Sequence, residues 1–149
     1  MTDGLQIRIA TSDDINAWSA QRALLWPTQS AAEHAVEAVQ WMMDASTDAL
    51  VAINPAGVMV GFVEVGLRNY AEGCESSPVG YVEGWYVDES MRRQGVGRAL
   101  IRAAEDWARS RGCTEIASDT EVENAGSQEA HERLGYERVE TIVVYRRAL

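Results

Sequence analysis

The segment Arg92-Arg93-Gln94-Gly95-Val96-Gly97-Arg98-Ala99-Leu100 carries the clearest chemistry in the chain. Two glycines flank one small residue where a loop turns into a helix, and arginines stand on either side. Glycine lets a ligand lie against the backbone and accepts positive φ. Unpaired N–H groups at a helix start, at the positive end of the helix dipole, bind a phosphate. A run of exposed amides in such a loop forms an anion nest. The spacing is not the dinucleotide fingerprint, whose third glycine would fall at Leu100, nor a Walker loop, because no Gly-Lys-Ser/Thr follows. The plain alternative is a glycine-containing turn before an arginine-rich helix start.

The surrounding pattern supplies the elements that hold this loop. Leu5 to Ala10 alternates as a short strand, with Leu5, Ile7 and Ile9 on one face. Thr11 and Asp14 stand at capping-box spacing ahead of a helix through Ile15, Trp18, Arg22 and Leu25. That helix stops at Trp26, before Pro27. Ser30 and Glu33 form a second box, and the stripe Ala32, Val36, Val39 and Met43 is expected to face the core. Leu50–Ile53 and Val58–Val65 read as a hairpin across Asn54-Pro55-Ala56-Gly57. A polar loop, Arg68 to Pro78, precedes a strand from Tyr81 to Val87, where Gly84 marks a bulge or a close backbone approach. A helix with Val96, Leu100, Ala104, Trp107 and Ala108 inside ends at Gly112, and Thr114–Ser118 follows as a strand, which makes a βαβ unit. A last helix over about Gly126–Leu134 leads to a β-rich strand from Val139 to Tyr145.

The 149 residues read as a single α/β domain, 1–149, with neither repeats nor linker. With 13 Lys+Arg against 23 Asp+Glu, the net charge is −10. That argues against nucleic acid and against an anionic membrane surface, and it suits a cationic partner; acidity that merely keeps a protein soluble is the bland reading. Cys74 and Cys113 stand apart, without a Cys/His neighbour at metal-ligand spacing, so neither a disulfide scaffold nor a bound metal is expected. The N-terminal segment lacks the charged and apolar regions of a secretory signal, and no apolar run reaches the ~18 residues of a membrane span, which points to the cytoplasm.

Arg92-x-x-Gly95-x-Gly97 resembles the pyrophosphate-binding motif of the GNAT superfamily of N-acetyltransferases, and Asn124, Ser127, His131 and Leu134-Gly135-Tyr136 resemble its second motif. The resemblance implies a central mixed sheet flanked by about four helices, with acetyl-CoA as co-substrate and no metal. It places Arg93, Gln94, Gly95, Val96, Gly97, Arg98 and Asn124 at the coenzyme, and the strand Trp85-Tyr86-Val87 along its pantetheine arm. Leu25-Trp26-Pro27, the Asn69 to Pro78 loop, Val82-Glu83-Gly84 and Ser118-Asp119-Thr120 are similar to the aminoglycoside 6′-N-acetyltransferases. That narrower likeness implies that Trp26, Tyr70, Glu83, Asp119 and Glu140 face an aminosugar, and that the chain is a homodimer, often with the last strand shared.

Such a substrate needs carboxylates and flat apolar walls. Asp119 lies at the carboxyl end of an expected parallel strand, where open α/β sheets place ligands, and Glu83 lies beside the bulge. Either serves as general base for the acceptor amine, and the Val87 N–H is the candidate donor to the oxyanion. The simpler readings are a core role for Trp26 and a helix-capping role for Asp119. Many relatives carry a tyrosine where this chain has His131, which leaves His131, Tyr145 or no group at all as the acid; a solvated surface histidine is the simple reading. Two further functions stay open: a GNAT enzyme acting on a polyamine, an amino acid or a protein N-terminus, and a non-catalytic acyl-CoA-binding module.

Overall fold

The structure is a computed structural model that describes residues 3–149. In chain order it forms β1 (Gln6–Ile9), α1 (Ile15–Leu25), α2 (Ala31–Met43), β2 (Thr47–Ile53), β3 (Met59–Arg68), β4 (Val79–Val87), α3 (Val96–Ser110), β5 (Ile116–Ser118) and α4 (Ala125–Arg133). The strands make one sheet in the order β1-β2-β3-β4-β5. The first three pairings are antiparallel and β4–β5 is parallel, as the expected mixed sheet requires.

Local chemistry sets the helix ends. The Thr11 amide donates to Asp14 Oδ2 at 2.7 Å, and Arg8 grips the same carboxylate at 2.6 and 3.0 Å, tying β1 to the start of α1. The Arg8 hydrogen bonds hold the Asp14 carboxyl below the usual carboxylate range. Ser30 and Glu33 complete the reciprocal cap of α2. At the end of α3 the Cys113 amide reaches Ala108 O and the Gly112 amide reaches Arg109 O, both at 3.0 Å, with Gly112 at φ +83°. This is a Schellman stop, and Gly135 supplies the same one after α4.

The sheet carries one core on each face, and side-chain alternation along β3 and β4, reset by an extra residue at Val60 and at Glu83, sorts residues between them. Val60, Val63 and Val82 pack with Val96, Leu100, Ala104 and Trp107 of α3. Phe62 and Tyr86 pack with Trp18 of α1 and Ala38 of α2 on the opposite face. Glu64 shares the Phe62 face, so alternation alone sends a carboxylate toward α1 and α2.

Three expectations are corrected. The stripe on α2 faces solvent: Val36 is 57% and Met43 78% exposed, while His34 and Ala38 are fully buried. A polar residue wins the inside position because it finds hydrogen-bond partners there. Leu5, just before β1, and Ile7 within it join the core, but Ile9 stays half exposed. Finally, 139–145 forms no strand. Ile142, Val143, Val144 and Tyr145 are exposed and unpaired, because the segment meets no ladder within its own chain.

Candidate active site

β4 and β5 pair only from Gly80–Ile116 to Val82–Ser118. Beyond that point β4 runs on to Val87 with one side open. The Asp88 amide donates to Val60 O at 2.8 Å, which fixes the alternation: Gly84 and Tyr86 turn their backbone groups to β3, and Trp85 and Val87 turn theirs to the open side. Arg92 Nε donates to Val87 O at 3.0 Å, occupying that carbonyl.

The loop that follows is tightly wound. Arg93 (φ +62°) and Gly95 (φ +88°) are both left-handed. For an arginine this costs on the order of 1–3 kcal/mol, a cost met where a site needs the conformation. Ala99 is the first amide bonded within the α3 ladder, to Gly95 O at 3.0 Å, so Val96, Gly97 and Arg98 are its first-turn amides, whose N–H groups have no acceptor inside the helix. Gly97 rests on the indole of Trp85, where an added Cβ would lie 3.1 Å from Cζ2.

On the α1–α2 face, a cleft of about 550 Å³ is lined by Glu37, Asp44, Glu64 and Glu83 between the indoles of Trp26 and Trp41. Arg22 is the one cation among its lining residues. It bridges Glu64 and Glu37, and its Nε donates to His34 Nδ1 at 3.3 Å. An arginine has no lone pair to offer, so His34 Nδ1 accepts and Nε2–H donates to Trp26 O at 2.9 Å. Trp18 Nε1 donates to Glu64 at 2.9 Å. Burial lifts the Glu64 carboxyl above its usual range, and the Arg22 charge and the Trp18 bond pull it back.

The two expected carboxylates differ in place and in partners: Glu83 lines the cleft, and Asp119 is not among its lining residues. Glu83 is the extra residue of a bulge, since Glu64 pairs with Gly84 and Val65 with Val82. Arg68 holds it through two 2.8 Å bonds. Asp119, one residue past β5, accepts from Tyr81 Oη at 2.6 Å.

The sequence profile of the acetyltransferase (GNAT) family matches residues 15–136. The chain belongs to this GNAT family. Among curated GNAT relatives, the aminoglycoside N(6′)-acetyltransferase type 1 of Klebsiella aerogenes is 42% identical, over 96% of this chain and 96% of its own length. The Stenotrophomonas maltophilia protein of the same name is 44% identical, over 96% and 93%. The solved structure of AAC(6′)-Iy in complex with the bisubstrate analogue CoA-S-monomethyl-acetylneamine superposes with a TM-score of 0.92 at 34% identity, covering 97% of this chain and 99% of that one.

Within this GNAT fold, Arg93, Gln94 and Gly95 lie on the loop and Val96, Gly97 and Arg98 on the first turn of α3, with Trp85 and Val87 on the open edge of β4 that leads into it. Tyr86, expected there too, turns its backbone to β3 and stacks its ring on Phe62 at 6.1 Å. Asn124 Oδ1 caps α4 by accepting from Ser127 N at 3.0 Å, so Asp119 is not the cap. Trp26 and Glu83 line the cleft. Tyr70 and Glu140 do not: Tyr70 is 68% exposed on its loop, and Glu140 sits on the exposed tail, next to Val139, which packs on Gly73. His131 is no solvated residue. Its Nδ1 donates to Ser127 O at 2.7 Å, leaving Nε2 to accept from Ser118 Oγ at 2.8 Å.

Sequence reasoning missed Arg22, His34, Glu37 and Glu64. One signal was available: Glu64 interrupts the apolar run of β3, and a carboxylate on a buried strand requires a partner.

Proposed function

We propose that the chain, as one GNAT domain, transfers acetyl from acetyl-CoA to the 6′-amino group of aminoglycoside antibiotics and so confers resistance. The observation that carries this reading is the acidic, tryptophan-walled cleft whose Glu83 lies two residues from the open edge of β4. A polyammonium sugar matches it in charge and in its flat faces. At ~4 Å and an effective dielectric near 20, one carboxylate–ammonium contact reaches ~4 kcal/mol before desolvation. Indole faces add about 1 kcal/mol each by cation–π contact.

The donor side fits acetyl-CoA: the amides of Val96, Gly97 and Arg98 would hold its diphosphate, with Arg93, Gln94 and the amide side chain of Asn124 around them. When bound, the thioester supplies the acyl group. The Val87 N–H faces the open side, where the acyl oxygen gains negative charge. An acceptor ammonium with a pKa of about 9 is only ~1% neutral at pH 7, a deficit of ~2.7 kcal/mol. Neighbouring carboxylates bind the cation and also raise that pKa, so one of them must take the proton. Arg68 engages both oxygens of Glu83, which makes Glu83 a fixed charge and leaves Asp119 as the base.

A thiol-release assay tests this reading with kanamycin-like sugars, spermidine and peptides as acceptors. Turnover on the sugars is expected; flat traces for every sugar with turnover on spermidine would overturn it. Gly84→Ala probes the acceptor wall. Its Cβ would meet Trp26 at 2.5 Å, and that indole is hemmed in by Arg22, 4.8 Å from its ring, with the Trp26 carbonyl held by His34. The expected result is an aminoglycoside KM raised about tenfold with acetyl-CoA KM unchanged, and about 1–3 kcal/mol lost on unfolding.

We also read the protein as a cytoplasmic homodimer. Both cysteines are free thiols, which suits a reducing compartment. The apolar tail Ile142–Tyr145 lacks partners, and β5 ends the sheet with an unpaired edge on which a second copy's tail would find a ladder. Such a tail would bring Glu140 to a neighbouring acceptor site. Light scattering on the intact chain is expected to read a two-chain mass, and deletion of 139–149 a one-chain mass.

A further inference from the structure

The geometry points to Tyr81 as a positioning residue that aims the Asp119 carboxylate at the acceptor amine, an inference that rests on Asp119 being the base. Asp119 stands on an irregular segment one residue beyond β5, exposed, where no strand or helix neighbours pack its side chain into one rotamer. Among the described residues its one hydrogen bond comes from Tyr81 Oη, at 2.6 Å on Oδ2. Tyr81 can act as a fixed post. It is 4% exposed, on β4, and its register partner is Ala117, two residues before Asp119. The Arg68 guanidinium lies 3.4 Å over its ring while gripping Glu83, so ring and carboxylate are clamped as one unit.

The hydrogen bond runs in one direction. Burial and the Asp119 charge push the Tyr81 phenol far above its ordinary value, so it stays a donor throughout the working range and takes no proton itself. The charged and titratable neighbours of Asp119 are Tyr81 and Glu83 of β4 and Arg68 of β3, with His131 of α4 bonded to adjacent Ser118. With Oδ2 anchored, Oδ1 is the oxygen left to meet an ammonium. A base misplaced by about 1 Å loses on the order of 10²-fold in rate, which sets the scale for losing this anchor.

Tyr81→Phe keeps the ring under Arg68 and removes only the hydroxyl. The expected result is a kcat lower by about 10- to 100-fold, with KM for acetyl-CoA unchanged and KM for the aminoglycoside within about threefold. Calorimetric titration with acetyl-CoA, giving wild-type affinity, reports that the variant is folded. In an Asp119→Asn background, Tyr81→Phe should cost nothing further, because the post then holds no base. Wild-type kcat in Tyr81→Phe, or full multiplication of the two effects, would overturn the inference while leaving Asp119 as the base. Wild-type kcat in Asp119→Asn alone would remove the base assignment and this inference with it.

Discussion

Asp119→Asn is expected to lower kcat for aminoglycoside acetylation by about 10²–10⁴-fold, the range typical of removing a general base. Asparagine has the same shape and still offers an oxygen to Tyr81 Oη, so the loop beyond β5 keeps its anchor. What is lost is a group able to take a proton. Acetyl-CoA affinity should be unchanged, since the loop from Arg93 to Arg98 and the open edge at Trp85 and Val87 do not depend on Asp119. Glu83→Gln should behave differently, because it breaks the two bonds from Arg68 and removes a fixed negative charge from the cleft. Its main effect is expected on the aminoglycoside KM. Steady-state thiol release and calorimetric titration of acetyl-CoA separate the two variants. A kcat for Asp119→Asn within threefold of wild type would exclude it as the base, and equal loss of acetyl-CoA binding in both variants would show the acceptor pocket to be misplaced.

The glycine loop and the helix ends were legible in the sequence because their patterns are local. Glycine at 95 and 97, the capping pairs Thr11/Asp14 and Ser30/Glu33, and the inward stripe from Val96 to Ala108 are written within a turn or two of each other. The acidic cleft is assembled from residues far apart in the chain. Arg22 meets Glu64 across 42 positions and Trp18 meets it across 46. No periodicity announces such a pair. The same blindness explains α2: the valine stripe and the His34–Ala38 stripe are both plausible inner faces, and the choice depends on Arg22, on another helix, offering His34 a hydrogen bond. The tail was misread for a related reason. Val139 to Tyr145 has the composition of a strand, but a strand exists only with a neighbour to pair, and the chain alone provides none.

The second large effect is on stability and its pH dependence, through Arg22→Met. Arg22 is 5% and Glu64 2% exposed, so removing the guanidinium leaves a carboxylate in the interior with only the Trp18 indole to bond. Breaking a buried pair from one side costs about 3–5 kcal/mol. The deficit must depend on pH. Burial already places the folded-state Glu64 carboxyl above its unfolded value, so the folded form binds more protons in the interval between them, and stability falls as pH rises through it. Without Arg22 the folded value climbs further and the interval widens upward. The variant should therefore lie nearest wild type at about pH 4, close to the unfolded glutamate value of ~4.3, and drop away from it towards neutrality. Urea unfolding across this range reads the difference directly. Adding Glu64→Gln replaces the charge with a neutral amide and should flatten the pH dependence while restoring much of the loss. A deficit in Arg22→Met that is the same at every pH, and unmoved by Glu64→Gln, would mean that Arg22 acts by packing against Trp26 rather than by neutralising the buried carboxylate beneath the cleft.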